Sequence, residues 1–290
     1  MDETVDRQWV GDLVRATIEE DLAGGVDVTT TATIDPDQVS VAELVARADG
    51  VVAGLEIAEL VLRQVAAPDE VEIEYSVRDG ASVRQGDVLL TARGKTQQLL
   101  TAERTALNLL CHLSGVATLT RRWVDEVEGT GAVIRDTRKT MPLLRSLEKY
   151  AVRCGGGKNH RMALSDAALI KDNHVIAAGG VAEAFRLVRK AYPDLAIEVE
   201  VDSVDDALIA VESGAELILL DNMDVPLLRE AVEKVAGRAK LEASGGLTLD
   251  KARAVAQTGV DYLAIGALTH SAPVLDIALD LKAALNSKDA

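Results

Sequence analysis

Aromatic side chains are nearly missing from this chain: one Phe, two Trp and four Tyr among 290 residues. A stacking platform for single-stranded nucleic acid needs rows of such rings, so that class is excluded, and the core has to be built from Ala, Val, Leu and Ile. There are two cysteines, Cys111 and Cys154. They make neither a disulfide framework nor a set of metal ligands, and they suit a reducing cytoplasm. No apolar run approaches the ~18 residues that span a bilayer. The N-terminal MDETVDRQWV is acidic and has no apolar signal core, so a cytoplasmic location is expected. Basic residues are outnumbered, 31 Lys and Arg against 47 Asp and Glu, for a formal charge of −16. That balance argues against nucleic acid and anionic membranes as partners.

Apolar residues make up 48% of the chain, ample for a core, and the length suits two domains or one large α/β domain. Residues 7–22 have helical spacing in Trp9, Leu13, Ala16 and Ile18, and AGGVDVTT at 23–30 breaks the pattern. Residues 39–53 and 71–94 read as strands and turns around an amphipathic helix at 55–66, which is an α+β section. A long helix is expected from about Gln97 to Val127, with Leu99, Ala102, Ala106, Leu109, Leu113 and Val116 on one stripe and a weak point at Ser114-Gly115. Arg104 and Arg121 lie off that stripe.

The second half changes character. Short apolar strands recur at 132–139, 168–173, 196–202, 217–222, 240–246 and 262–267, with helical patterns such as AEAFRLVRKAY and VPLLREAVEKVA between them. Strands that alternate with helices at so regular a spacing predict a parallel barrel, and six countable strands make it incomplete. The expected fold class is α/β: an N-terminal α+β domain over 1–116, then an incomplete parallel α/β barrel of six to seven strands over 117–270.

The predicted strands end on Arg138-Lys139, Lys171-Asp172, Glu200, Asp221, Ser244-Gly245-Gly246 and Gly266. In a parallel barrel such ends converge on one face, where polar residues serve binding and catalysis. The last two ends suit phosphate, because glycine lets backbone N–H groups approach an anion near a helix N-terminus. Glu198, Glu200 and Asp202 share one strand face, and Asp221 ends the neighbouring strand; carboxylates so placed suit a hard cation such as Mg²⁺ shared with substrate phosphates, or an ion pair with Lys139 or Lys171. Residues 135–174 hold nine Lys or Arg against four Asp or Glu, so this acidic chain concentrates its positive charge there. The GGGK within it is no P-loop, since Val152 and Asn159 stand where Gly and Ser or Thr are required. It reads as a mobile loop that brings Asn159, His160 and Arg161 over the barrel mouth. Arg145, Lys149 and Arg153 fall at helical spacing and read as a solvated face, whereas Arg138, Lys139 and Lys171 do not. The ligand expected is highly anionic, with phosphates and carboxylates. Two other readings are a Schiff-base aldolase using Lys139 or Lys171 and a carrier module. For the latter, VRDGASVRQGDVLLTARG (77–94) resembles biotinyl and lipoyl hairpins but has no turn lysine.

The stretches RDTRKTMPLLRSLEKYAVRCGGGKNHR, LIKDNH, EVEVD, LLDNM and ASGG resemble quinolinate phosphoribosyltransferase, as do EDLAGGVDVTT and TAERTALNLLCHLSGVAT. A molybdenum-transport-associated relative shares that fold. The resemblance implies transfer of phosphoribose from phosphoribosyl pyrophosphate to quinolinate, with loss of CO₂. Thr137, Arg138, His160, Arg161 and Lys171 then belong to substrate binding, with Arg104 joining them from the partner subunit of a homodimer. Lys139, Glu200 and Asp221 fall on the ribose, pyrophosphate and Mg²⁺ side as the catalytic set, and Ser244, Gly245, Gly246 and Gly266 in the phosphate loops. The tail, 271–290, is expected to pack back on the N-terminal domain.

Overall fold

The structure is a computed structural model in which residues 1, 3–66 and 70–282 are described. Its contacts separate two compact units. The first holds Met1–Leu119, Ser146–Gly156 and the described residues from Ala272 onward; the second holds Thr120–Arg145 and Gly157–Ser271.

The first unit opens with α1 (Arg7–Leu22). Asp6 starts this helix by accepting from the Gln8 and Trp9 backbone N–H groups, and Ala23 ends it in the left-handed region at φ 49°. Its deep face is Val10 and Val14; Trp9, Leu13 and Ile18 are half-buried, and Ala16 is exposed. AGGVDVTT does stop α1, but it also contains a start that the turn pattern conceals. Asp27 accepts from Thr30 N at 3.0 Å and caps α2 (Val28–Thr33).

After α2 come β1 (Val39–Ala46), β2 (Gly50–Val51), α3 (Leu55–Val65), β3 (Glu72–Tyr75), β4 (Ser82–Val83) and β5 (Val88–Lys95). A strand from the far end of the chain, β12 (Ile277–Leu281), completes a four-stranded antiparallel sheet in the order β12-β1-β5-β3. Residues 283–290 of the tail lie outside the described residues. All six residues of the predicted stripe on α4 (Thr96–Glu126) are buried. The weak point expected at Ser114-Gly115 is absent, because these small residues serve close approach of other segments. Ser114 Oγ accepts from Ala53 N at 3.0 Å and donates to Ala53 O at 3.2 Å, and a Cβ on Gly115 would lie 2.2 Å from Pro273 O. In α5 (Arg145–Cys154) every residue from Leu147 to Val152 is buried, Lys149 included. The solvated face expected for this helix is therefore not found: Arg153 donates to Thr4 Oγ1 and to Lys149 O, and Lys149 is fully enclosed.

The second unit is built on β6 (Val133–Arg135), β7 (Ala168–Ile170), β8 (Ile197–Val201), β9 (Leu217–Asp221), β10 (Lys240–Ser244) and β11 (Tyr262–Ala264). All pairings are parallel and the order is β6-β11-β10-β9-β8-β7, which is sequential order around a ring with one link open. Lys158 extends the open side of β6 through a parallel bridge to Arg135, a rudiment of a seventh strand. The intervening helices are α6 (Asp172–Ala178), α7 (Val181–Ala191), α8 (Val204–Glu212), α9 (Val225–Val235), α10 (Leu249–Ala256) and α11 (Ala267–His270). Ser203 caps α8 and Asp224 caps α9, where Pro226 stands at the tolerated first turn. Among the described residues no helix is long and apolar enough to cross a membrane.

The approach at Gly115 gives a stability test within the first unit. Gly115→Ala should lower unfolding free energy in urea by about 1–3 kcal/mol, because a methyl group has no room against the Pro273 carbonyl. Gly11→Ala, on α1 with only Gln64 Nε2 at 3.8 Å from the added Cβ, should instead raise it by up to about 1 kcal/mol. Equal effects at the two sites would contradict the packing role of Gly115.

Candidate functional site

Strand alternation sorts the second unit's residues into two sets. Ile134, Ile170, Val199, Val201, Ile218, Leu220, Leu241, Ala243 and Leu263 are all buried and apolar, the face that the helices cover. The opposite parity carries Leu169, Glu198, Glu200, Leu219, Asp221, Glu242, Ser244 and Ala264, and every one of these except Glu198 lines a single cavity of about 540 Å³. Lys171, just past one edge strand, and Thr137, Arg138 and Lys139, just past the other, line the same cavity. The sheet therefore curls until its two edges face one interior, and the size fits a small-molecule site.

The cations reach this cavity by a different route from the one expected. The strands are shorter than predicted: β6 stops at Arg135, so Arg138 and Lys139 sit in the following loop rather than at a strand end. The chain turns away there because Asp136, fully buried, accepts from His160 N at 2.8 Å and from Asn159 Nδ2 at 2.5 Å. This also corrects the mobile-loop expectation. After the three glycines, Lys158 pairs with Arg135, and Asn159 and His160 are tied to Asp136. Arg145, expected in solvent, bridges the two loops at the mouth by donating to Thr140 Oγ1 at 3.0 Å and to Met162 O at 3.1 Å. Thr269 Oγ1 donates to Lys139 O at 2.8 Å and holds the first loop from α11.

Charge is unevenly satisfied here. Arg138 Nε and Arg161 Nε are buried with no hydrogen-bond partner, and neither Arg138 nor Lys139 has a carboxylate partner among the described residues. Burial and the neighbouring Arg138 charge push Arg161 below the usual arginine range, although its Nη1 donates to Ala167 O at 2.9 Å. Two guanidinium groups so arranged favour an anion between them. Lys171 Nζ donates to Glu200 Oε2 at 2.6 Å. That is the ion-pair alternative for Glu200, and it is not the apolar or cationic setting a Schiff-base lysine requires. Asp221 Oδ2 accepts from Asn222 Nδ2 at 2.7 Å.

Beneath the cations lies a buried, linked polar group. His160 Nε2 is 2.7 Å from Glu198 Oε2 and 3.5 Å from Glu242 Oε1, and Glu242 Oε2 accepts from Arg135. Burial first, and then the Glu198 carboxylate, push Glu242 up to about 7, against the opposing pull of Arg135 and His160.

A second cavity, about 710 Å³ and confined to the first unit, includes Glu56, Glu59, Arg63, Tyr75, Asp79 and Tyr150. Most of its charges are matched internally, Arg63 and Tyr75 with Glu59, Arg7 with Glu56 and Tyr150 with Asp79, which leaves Arg78. An anionic ligand has less to gain there than at Arg138 and Arg161.

Of the residues singled out in the sequence, Thr137, Arg138, Lys139, His160, Arg161, Lys171, Glu200, Asp221, Ser244, Gly245 and Gly246 all line the 540 Å³ cavity. Gly266 is not among its lining residues, but a Cβ there would lie 3.0 Å from Lys139 Cδ, so its bareness makes room for a site lysine. Arg104 is exposed on α4 in the first unit, with Glu103 at 3.9 Å. Three residues went unassigned. Glu242 was legible as the inward neighbour of Ser244 two positions on. Asn222, left-handed at φ 56°, follows the strand-ending Asp221, and its Oδ1 would lie 2.3 Å from a Cβ on Gly245. Arg135 opens the basic stretch itself.

Two family models match the chain. The quinolinate phosphoribosyl transferase N-terminal domain covers residues 27–114 and the C-terminal domain residues 116–280. The nicotinate-nucleotide pyrophosphorylase [carboxylating] of Mycobacterium leprae is 54% identical over 93% of this chain and 96% of its own. The quinolinate phosphoribosyltransferase [decarboxylating] 1b of Nicotiana tabacum is 39% identical over 93% of this chain and 81% of its own. The solved nicotinate-nucleotide pyrophosphorylase of Francisella tularensis superposes with a TM-score of 0.90 at 34% identity, covering 96% of this chain and 98% of that one. With both domains matched and most of its length shared with such relatives, the chain belongs to the quinolinate phosphoribosyltransferase family.

Proposed function

We propose that this chain transfers phosphoribose from phosphoribosyl pyrophosphate to quinolinate and releases pyrophosphate, CO₂ and nicotinate mononucleotide. The observation that carries the reading is the pair of buried, unpartnered guanidinium nitrogens of Arg138 and Arg161 in a cavity that also holds Lys139, Lys171, Glu200 and Asp221. Planar forks bind carboxylates, and lysines supply point charge to phosphates. The pyridine nitrogen forms a bond to the ribose carbon as the bond to pyrophosphate breaks and its electron pair leaves with pyrophosphate. When the adjacent carboxylate departs as CO₂, the electron pair stays on the ring carbon, where the neighbouring positive nitrogen stabilises it, and that carbon then takes a proton. No protein nucleophile is needed; catalysis rests on positioning and on fixed charge.

The donor set suits Mg²⁺. Glu200 and Asp221 offer hard carboxylate oxygens on adjacent strands, and Asp221 Oδ1 is left over once Oδ2 has accepted from Asn222. When bound, the ion neutralises pyrophosphate charge. Gly245, Gly246 and Ser244 take the phosphate side, ahead of α10. A homodimer with Arg104 entering the neighbouring site belongs to the same reading, supported by the exposure of Arg104 and by exposed apolar side chains on the loops and helix that follow β6 and β7: Met141, Leu143, Leu164 and Ile176. A cytoplasmic location is supported by two free cysteines.

Nicotinate should be a poor substrate beside quinolinate. Losing one carboxylate leaves part of the Arg138–Arg161 pair unmatched, which costs about 2–5 kcal/mol, or roughly 30-fold and more in kcat/KM. Comparable kcat/KM values for the two acids would sink the reading.

Asp221→Asn should raise the Mg²⁺ concentration needed for half-maximal velocity while changing quinolinate affinity, read by calorimetry, less than about threefold. Glu200→Gln should show the same metal effect and also disturb Lys171, its ion-pair partner. Loss of quinolinate affinity with metal dependence untouched in Asp221→Asn would refute the assignment.

Arg104→Ala and Lys171→Ala should each be nearly inactive alone. A purified hybrid of the two has one doubly damaged site and one intact site, and should recover about half of wild-type kcat. A folded hybrid that stays inactive would remove Arg104 from the neighbouring site.

A further inference from the structure

The position of one proton decides what His160 does. Its Nδ1 accepts the backbone N–H of Arg161 at 2.7 Å, so the ring proton sits on Nε2, which lies 2.7 Å from Glu198 Oε2. Both ring nitrogens thus end on protein groups. The His160 side chain is 8% exposed and that of Glu198 5%, so neither has solvent as an alternative partner. His160 lines the cavity with its ring and has no ring nitrogen left to offer a ligand.

The same proton argues against a metal centre at this place. His160, Glu198 and Glu242 bring their ligand atoms within 4.8 Å of one another, a spacing that an ion could bridge. Ligation through Nε2 would need the proton on Nδ1, where it would point at the Arg161 N–H. The arrangement that satisfies every donor is a hydrogen-bond chain: Glu198 accepts from His160, and His160 accepts from the Arg161 backbone.

That chain ends at a group already placed in the site. The Arg161 guanidinium is itself tethered, with Nη1 on Ala167 O at 2.9 Å, while its Nε faces no protein partner. Arg161 is therefore held at its backbone by His160 and at its head by Ala167. A carboxylate buried inside a barrel with one oxygen, Oε1, unpartnered is costly to keep, and among the described residues Glu198 has no ion-pair partner besides His160. We propose that Glu198 is the positioning residue of the base pocket: by accepting the Nε2 proton of His160 it holds Nδ1 against the Arg161 backbone and fixes the point from which the Arg161 guanidinium meets a carboxylate of the base. This rests on the reading that Arg138 and Arg161 bind the base. Asp136 acts alongside, since it accepts the His160 backbone N–H and sets the start of the same segment.

The atoms involved can be separated by substitution. An asparagine side chain places its oxygen near the position of histidine Nδ1, and a glutamine places its amide near Nε2. His160→Asn keeps the acceptor for Arg161 N–H; His160→Gln keeps only the donor to Glu198. The expected result is a KM for quinolinate raised in both variants, by roughly tenfold or more in His160→Gln, which loses the acceptor, and by less in His160→Asn, which loses only the contact with Glu198, with the KM for phosphoribosyl pyrophosphate steady in both. Glu198→Leu should raise the quinolinate KM by roughly tenfold or more, and Glu198→Gln, which retains an acceptor oxygen, should recover most of the loss. Nitrogen-15 spectra of the wild-type imidazole should show a protonated Nε2 and an unprotonated Nδ1 both before and after quinolinate is added. His160→Gln outperforming His160→Asn would overturn the proposal, and so would a proton on Nδ1 in the quinolinate complex. If Glu198→Leu fails to fold, the two His160 variants and the spectra still decide the matter. Arg161→Lys with unchanged quinolinate affinity would instead defeat the base-pocket reading, and the spectra of His160 would register the hydrogen-bond chain regardless.

Discussion

Charge buried inside an open barrel must be matched within it, and the second unit is organised by that requirement. Arg135, Glu242, His160 and Glu198 form a linked layer of buried ionisable groups at the floor of the cavity. Taking such groups from water is expensive unless each finds a partner, so their geometry is tightly set. Arg135 spends its charge on Glu242 and also stacks over the Tyr262 ring, with 4.7 Å to the centroid. Glu242 remains a group whose protonation changes near neutral pH, pushed there by burial and by Glu198. What each layer leaves over differs in kind: Glu198 Oε1 and Glu242 Oε1 are acceptors with no donor, whereas Arg138 and Arg161 above them retain buried donors with no protein acceptor. The lower layer orients the segment above it, and the donors left over in the upper one suit an anion.

Short strands explain why the site is built from turns. Three-residue strands at β6, β7 and β11 cannot carry many inward side chains, so the cations stand in the segments beside them, Arg138 and Lys139 after β6, Arg161 before β7 and Lys171 after it. Such segments are ordinarily the mobile part of a barrel. Here they are restrained by groups with no catalytic duty: Asp136 holds the segment carrying His160, Arg145 joins two loops, and Thr269 fastens the backbone of Lys139. Asn222 and Gly245 do the same for the later turns. Asn222 accepts the strain of a left-handed backbone, and a side chain at Gly245 would collide with it.

The inward parity of Glu200, Asp221 and Ser244 was legible in the sequence, because strand alternation and βα spacing are local patterns, and the convergence of these residues follows from closing a parallel sheet. The roles of Lys149 and Arg145 were not legible. Helical spacing tells which residues share a face, but not that the other face is also covered, and Lys149 lies on a helix buried over Leu147 to Val152. Ser114-Gly115 misled for the same reason. A small pair in a helix looks like a break in a single sequence, whereas its cause is the Ala53 and Pro273 backbones, distant in the chain. The three glycines before Lys158 suggested mobility, and the bridge that ends it depends on Arg135, more than twenty positions earlier. What a single sequence hides in each case is the partner surface, not the propensity.

The acidic surface and the cationic cavity serve different ranges. A chain of −16 repels an anionic substrate at a distance only weakly, because screening at physiological ionic strength sets in over about 8 Å. Inside the cavity the wall charges act through a medium of lower effective dielectric, where a guanidinium a few ångströms away outweighs many distant carboxylates. Long polyanions are a different case. A nucleic acid samples the whole surface, where outside residues 135–174 the 22 Lys and Arg are outnumbered by 43 Asp and Glu, while a ligand small enough to enter 540 Å³ meets Arg138, Lys139, Arg161 and Lys171 together. Gathering cations without carboxylate partners inside the cavity therefore selects by size as well as by sign.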